Sequence, residues 1–114
     1  HVAYTMAKFG MSLCVLGMAG EFRKDGIAFN ALWPRTAIDT AAMAMLGGTE
    51  ASKRCRRPEI MADAAHIILT KDSRSFSGNF CIDDEVLAAA GITDLAPYRY
   101  EGARESDLLP DFFV

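Results

Sequence analysis

The chain opens with a long segment in which apolar residues fall on nearly every side of a helical wheel. From residue 3 to residue 24 the pattern leaves no wide polar face, and we predict one continuous helix there. A helix of this kind must be covered on almost all sides. We therefore expect it to contact more than a single sheet.

The next segments predict strands separated by a long loop. Residues 27–33 form an apolar run with Asn30 as its only polar member, which is typical of a buried parallel strand. Residues 34–57 form a connection long enough to hold one or two short helices and to act as a substrate and cofactor loop. A helix over 58–71, begun by Pro58, and a last strand over 78–83 follow.

Residues 84–114 are expected to form a C-terminal tail, with a short helix closed by Gly91 near its start. The order of helix, strand, loop, helix and strand is typical of an α/β fold with a Rossmann-like, doubly wound parallel sheet. Two strands cannot make such a sheet alone. We therefore predict the C-terminal half only, with the nucleotide-binding half absent from this chain; its start at His1 rather than at methionine also suggests a fragment.

Composition and charge limit the kinds of molecule that the chain is expected to bind. Half of the residues are hydrophobic (51%) and the net charge is -3, so nothing favours nucleic acid as a partner. Three widely spaced cysteines lack the spacing of a zinc site, and we expect no metal. The chain shows no signal peptide and no apolar run of about 18 residues, so we expect no membrane span and an intracellular, cytoplasmic location.

The first helix carries the candidate chemistry. Tyr4 and Lys8 are four residues apart, which places a phenol and an ammonium on one face of a helix. A nearby cation favours phenolate, so this phenol could exchange a proton with a carbonyl or alcohol oxygen. Taken alone, the pair is better explained by a solvated lysine beside a packed tyrosine.

The order of later motifs adds to this pair. Together they resemble the second half of a short-chain dehydrogenase/reductase, and within that family they are most similar to the hydroxysteroid dehydrogenase-like protein 2 group. The motifs are Ala3-Tyr4-Thr5-Met6-Ala7-Lys8, Asn30-Ala31-Leu32-Trp33-Pro34, Ile38-Asp39-Thr40, Ser77-Gly78 and Ile82-Asp83.

The resemblance implies an oxidoreductase that transfers hydride between NAD(P)(H) and a small apolar carbonyl or secondary alcohol. It implies that Tyr4 and Lys8 are catalytic and also contact the cofactor, that further cofactor contacts come from the loop, and that the substrate contacts Met43 and Leu46. The loop residues are Pro34, Thr36, Ile38 and Thr40. It also implies a homodimer or homotetramer built on the first helix.

The chain departs from the family pattern in two places, after the first predicted strand and after the last one. Arg35 follows Pro34 where most relatives have glycine, and Asp84-Glu85 replaces a glycine pair after the last strand. The chain contains no glycine-rich turn between a strand and a helix, so we expect the isolated chain to be inactive. A sterol-carrier domain, which longer members of the suspected group possess, is also absent from it.

Three alternatives stay open on the sequence. The basic residues Lys53, Arg54, Arg56 and Arg57 are a solvated surface or, less favourably, a site for an anionic substrate. Met43 and Met45 belong to a flexible lid or to a core. The whole chain is the enzyme part described above or a non-catalytic, oligomerising relic of such an enzyme.

Overall fold

Helices and strands alternate along residues 1–112, which the computed structural model describes without the side chain of residue 49. The helices are α1 (Val2–Glu21), α2 (Ala41–Ser52), α3 (Glu59–Leu69) and α4 (Asp83–Ala89), and the strands are β1 (Ala31–Trp33) and β2 (Phe80–Ile82). Two short 3-10 helices follow at Ala96–Tyr98 and Glu105–Asp107. Phe113 and Val114, the end of the predicted tail, lie outside the described residues.

The two strands pair in parallel, with Ala31 opposite Phe80 and Trp33 opposite Ile82. Parallel neighbours need a crossover connection, and α2 and α3 lie in it. The fold is therefore mixed α/β with a small parallel sheet, in agreement with the predicted class. Within residues 1–112 the sheet has these two strands only, so the larger doubly wound sheet is not formed by the described residues themselves.

The first strand is shorter than the predicted 27–33. Residues 27–30 run beside residues 76–79 but are joined to them largely through side chains: the Ser77 hydroxyl accepts from the Phe29 N–H at 3.1 Å. The Asn30 amide donates to the Phe76 carbonyl at 3.1 Å and accepts from the Asn79 amide at 2.8 Å. The Gly78 N–H also donates to the Phe29 carbonyl at 2.7 Å, and the regular strand begins at Ala31.

The predicted loop 34–57 contains one helix, α2, which is interrupted at Gly48. Gly48 has φ 66°, a left-handed conformation that glycine adopts without strain. The kink divides α2 into two short stretches. This matches the expectation of one or two short helices in the connection.

The core lies between α3 and α4. Its buried residues are Ile60, Ala64, Leu87 and Tyr98, and partly buried apolar side chains, including Leu32 of β1, pack against them. Tyr98 shows that the predicted tail 84–114 is not a loose extension, because this residue of the tail belongs to the core. Its hydroxyl donates a hydrogen bond of 2.6 Å to Asp63 of α3, which raises the pKa of Tyr98 to about 12.

α1 leaves much of its apolar surface uncovered. Only Ser12 and Ala19 of this helix are buried, whereas six of its larger apolar side chains are exposed: Val2, Met6, Phe9, Met11, Leu13 and Leu16. By length and composition alone α1 could cross a membrane. Core helices of larger soluble domains share this character, so the expected absence of a membrane span stays a prediction.

The Tyr98–Asp63 hydrogen bond predicts a specific dependence of stability on pH. The folded pKa of about 12 lies above the ordinary value of 10.0, so this bond stabilises the fold fully below pH 10 and loses its contribution as the pH rises to about 12. In the full-length protein that contains this segment, Tyr98→Phe should lower the free energy of unfolding by about 1 kcal/mol at neutral pH.

Urea unfolding of the wild type and the variant over this pH range measures the effect. The difference between them should shrink as the pH rises through the alkaline window. A difference that stays constant across the window would show that the hydroxyl is not held in its protonated form by folding.

Candidate active site

The position of α1 is set by its contacts with residues 29–33, the segment that contains β1. The indole N–H of Trp33 donates to the Ser12 hydroxyl at 3.2 Å, and the Phe9 ring lies 5.5 Å from the Trp33 ring. Near the other end of the helix, the Phe22 and Phe29 rings are also 5.5 Å apart. α1 therefore runs antiparallel to β1, and its first turn extends past Trp33 to the carboxyl end of the strand.

This first turn carries the predicted catalytic pair. The Lys8 ammonium lies 5.4 Å from the centre of the Tyr4 ring, so the structure brings the two side chains together on one face. The Tyr4 side chain is 49% exposed, whereas Lys8 is half-buried. A half-buried cation beside an accessible phenol is an arrangement that can support proton transfer.

The loop after β1 lies at the same end of the sheet. Pro34 and Ile38 are half-buried, and the Ile38 side chain packs against the core. Thr36 is buried, and its hydroxyl has no hydrogen-bond partner within the described part of the chain. Thr40 is exposed at the N-cap of α2, where its side chain makes no capping hydrogen bond.

A C-terminal stretch connects this loop to the start of α1. The Asp111 N–H donates to the Arg35 carbonyl at 3.1 Å, and Pro110 pairs with Thr36 in an antiparallel bridge. The next residue, Phe112, stacks on His1 with the two ring centres 6.4 Å apart. The helix turn that bears Tyr4 and the loop that follows β1 are therefore at one end of the molecule.

The predicted substrate residues lie on α2. Met43 is half-buried, and Leu46 is almost fully exposed, as is Met45. α2 thus presents apolar side chains without a cover among residues 1–112. This placement is compatible with the lid hypothesis and does not support a core role for Met45.

An apolar hollow of about 640 Å³ lies elsewhere on the sheet. It is lined by Phe9, Ser12, Leu13, Trp33, Phe80, Cys81 and Ile82. Its lining includes neither Tyr4 nor Lys8 and no residue of the loop after Trp33. The hollow is continuous with the exposed apolar side of α1 and is separate from the candidate site.

Comparisons with known proteins agree with the resemblance drawn from the motifs. No family model matches the chain. It is 57% identical to hydroxysteroid dehydrogenase-like protein 2 of Xenopus laevis, 59% to that of Danio rerio and 52% to that of Homo sapiens, each over 100% of this chain. Every one of these alignments covers 26% of the relative, so the chain spans about a quarter of the length of these curated relatives.

Two solved structures match as well. A putative dehydrogenase from Xanthomonas campestris has a TM-score of 0.89 and 58% identity, covering 100% of this chain and 41% of the other. A short-chain dehydrogenase from Mycobacterium thermoresistibile has a TM-score of 0.84 and 48% identity, covering 97% and 39% respectively. The chain is homologous to the short-chain dehydrogenases. The resemblance to the hydroxysteroid dehydrogenase-like protein 2 group, drawn from the motifs, is confirmed.

The residues at the two departures from the short-chain dehydrogenase pattern are in contact with each other. The Arg35 guanidinium donates to Asp84 at 3.1 Å and also pairs with Glu85. These contacts join the loop after β1 to the start of α4.

Asp83, the first residue of α4, holds the start of the loop after β1, a role that the motif Ile82-Asp83 did not reveal. Its fully buried carboxylate accepts from the Arg35 N–H at 2.9 Å and from the Asp84 N–H at 2.8 Å. Burial raises the pKa of Asp83, and these two hydrogen bonds offset part of that effect. A buried acid directly after a strand was the signal available in the sequence.

The basic run does not form a free anion site. Lys53 pairs with Glu50, the Arg54 side chain donates to the Asp107 carbonyl, and Arg57 lies 3.6 Å from Glu59. Arg56 is buried and pairs with Glu105. Because every member has a partner, the anionic-substrate alternative loses its support. Among residues 1–112 no cluster of three or more metal-ligating side chains is found.

Proposed function

We propose that this segment forms the catalytic and substrate-side part of a longer NAD(P)-dependent oxidoreductase of the short-chain type. The observation that carries the proposal is the Lys8 ammonium over the Tyr4 ring, at the carboxyl end of β1. In open α/β sheets, ligands bind outside the carboxyl ends of the strands. The homology to short-chain dehydrogenases supports the same reaction class.

The residues present fit the nicotinamide end of the cofactor. The Thr36 hydroxyl is buried without a partner in the described residues, and Thr40 is exposed at the start of α2. Lys8 offers a cation beside Tyr4. Pro34 and the Ile38 backbone complete the wall of the proposed pocket. A bound nicotinamide would supply or accept the hydride, and this chain would supply position and the proton.

Tyr4 is the proton donor and acceptor in this proposal. During reduction its hydroxyl gives a proton to the carbonyl oxygen while the carbonyl carbon gains hydride; during oxidation the phenolate takes the proton back from the alcohol. Lys8 would donate a hydrogen bond to the nicotinamide ribose and would place a positive charge beside the Tyr4 ring during the transfer. Met43 and Leu46 of α2 would close over a small apolar carbonyl or secondary alcohol.

The chain supplies only one end of the nucleotide site. Among residues 1–112, the glycines nearest to the pair, Gly10, Gly17 and Gly20, lie inside α1 and do not form a turn between a strand and a helix. Binding of the pyrophosphate therefore has to come from other parts of the full-length protein. This is why the isolated segment is expected to bind nucleotide weakly and to be inactive. A cytoplasmic location stays part of the proposal.

Substitution of the pair in the full-length protein tests the chemistry. Tyr4→Phe should lower kcat by roughly 10²-fold to 10⁴-fold, because it removes the group that transfers the proton. Lys8→Met should lower kcat by roughly 10-fold to 100-fold through loss of a charge-assisted hydrogen bond. The measurement is NAD(P)H oxidation with a panel of apolar aldehydes and ketones.

Two matched controls are available in the chain. Tyr98→Phe removes the same hydroxyl from a tyrosine bonded to α3, and Lys71→Met removes a cation that also lies over an aromatic ring, 5.0 Å from the centre of Phe76. Both controls should keep kcat near the wild-type value. A Tyr4→Phe variant as active as its control would refute the proposed chemistry.

A second candidate function is a non-catalytic, oligomerising relic, and the exposed apolar side of α1 is the observation that favours it. The same surface is expected to build a homodimer or homotetramer in the enzyme. The two candidates therefore share the interface and differ in activity. The substitutions of Tyr4 and Lys8 decide between them, since a relic has no turnover to lose.

The interface has its own test. Leu16 on α1 is 56% exposed, and Leu69 at the end of α3 is 82% exposed. In the full-length protein, Leu16→Glu should shift the mass in analytical ultracentrifugation toward the monomer, because a buried charge opposes association. Leu69→Glu should leave the oligomer intact. A monomeric wild type, or equal effects of the two variants, would contradict an interface on α1.

A further inference from the structure

The C-terminal segment, defined here as residues 98–111, makes several backbone hydrogen bonds to the loop that follows β1. The Ala37 N–H donates to the Leu109 carbonyl at 2.8 Å, and the Asp111 N–H donates to the Arg35 carbonyl at 3.1 Å. Leu109 in turn donates to the Arg54 carbonyl at 2.9 Å. The loop is thus held between the C-terminal segment and the residues that precede α3.

The end of the loop is held by a side chain of that segment. The Tyr100 hydroxyl donates a short hydrogen bond to the Asp39 carboxylate. The Arg57 guanidinium lies 5.8 Å from the centre of the Tyr100 ring, which fixes the ring from one face. The hydrogen bond from Tyr100, followed by one from Ser52, lowers the pKa of Asp39, so this carboxylate is the charged acceptor.

A buried arginine, paired with an exposed glutamate, supports the same loop. The Arg56 side chain is buried, with 1% of the residue exposed, and its charge is paired with Glu105 of the C-terminal segment. Its backbone binds the loop on both sides: the Arg56 N–H donates to the Ala37 carbonyl at 2.9 Å, and the Asp39 N–H donates to the Arg56 carbonyl at 2.8 Å. Asp39 is therefore fixed at its backbone by Arg56 and at its carboxylate by Tyr100.

Asp39 lies between the two residues expected to face the nicotinamide. Ile38 would present its backbone and Thr40 its hydroxyl, whereas the Asp39 side chain is directed to Tyr100. Tyr100 has no role in the proposed chemistry, and its hydroxyl is bonded to Asp39. It acts on the position of the loop alone.

We propose that Tyr100 is a positioning residue for the cofactor, which holds Asp39 and thereby sets the backbone of Ile38 and the hydroxyl of Thr40 for nicotinamide binding. The inference rests on the proposed function, because it assumes that this loop contacts NAD(P). Without the hydrogen bond the loop would occupy its binding-competent position for a smaller fraction of the time. The apparent affinity for nucleotide falls in proportion to that fraction.

A double-mutant cycle in the full-length protein tests this. Tyr100→Phe keeps the ring and removes only the donor, and Asp39→Asn keeps the shape and removes the charge. Each should raise the dissociation constant of NAD(P)H by roughly tenfold, measured by nucleotide fluorescence or calorimetry, and should raise KM for the nucleotide with little change in kcat. The double variant should bind nucleotide less weakly than the sum of the two single effects predicts, because both changes weaken the same hydrogen bond.

Tyr98→Phe is the matched control. It removes the same hydroxyl from a tyrosine two residues earlier, whose partner Asp63 is on α3 and not on the loop. A purely structural role for Tyr100 predicts that both tyrosine variants lower thermal stability and leave nucleotide affinity unchanged. An unchanged dissociation constant in Tyr100→Phe, or additive effects of Tyr100→Phe and Asp39→Asn, would overturn the inference.

The outcome is separable from that of the proposed function. If Tyr4→Phe is inactive while Tyr100→Phe binds nucleotide as the wild type does, the chemistry stands and the positioning role fails. If the wild type does not bind NAD(P)H at all, the proposed function fails, and the positioning role fails with it. Nucleotide binding is measured directly, so the outcome for Tyr100 does not depend on finding the physiological substrate.

Discussion

The packing of α1 against β1 determines where the chemistry of this chain can occur. Trp33 makes two contacts with this helix: its indole N–H donates to the Ser12 hydroxyl, and its ring contacts Phe9. Since the helix runs antiparallel to the strand, the turn before Phe9 projects beyond the carboxyl end of β1. Tyr4 and Lys8 are on that turn, and the loop beginning at Pro34 starts from the same place.

The loop itself is held by residues from distant parts of the chain. Asp83 binds its first N–H, Arg35 reaches to Asp84 and Glu85, and Tyr100 binds its end at Asp39. The loop therefore does not need its own regular structure to keep a defined position. The Arg35 side chain contributes to this by pairing with two acids at the start of α4.

The parts of this structure that depend on neighbouring residues could be predicted from the sequence. The Tyr4–Lys8 contact follows from four-residue spacing on a helix, and the family follows from the order of the motifs. The parts that depend on long-range contacts could not. Tyr100 and Asp39 are 61 residues apart, and nothing in the pattern around either one indicates the other.

The burial of charged residues could not be predicted from the sequence either. Arg56 stands in a run of four basic residues that looks like solvated surface, yet it is buried, because Glu105 from the C-terminal segment neutralises it. The regular part of the first strand is shorter than predicted, and side chains of Ser77, Asn30 and Asn79 take part in the hydrogen bonds of residues 27–30. Both differences arise from side chains that are distant in sequence.

The central claim is that the first turn of α1 and the loop after β1 form one nicotinamide site. A crystal structure of the full-length protein with bound NAD(P)H measures this most directly. The account predicts the Lys8 ammonium within hydrogen-bonding distance, about 3 Å, of the nicotinamide ribose, with the Tyr4 hydroxyl facing the nicotinamide and the ring against residues 34–40. A nicotinamide bound away from this turn, with Tyr4 and Lys8 facing another surface, would contradict it.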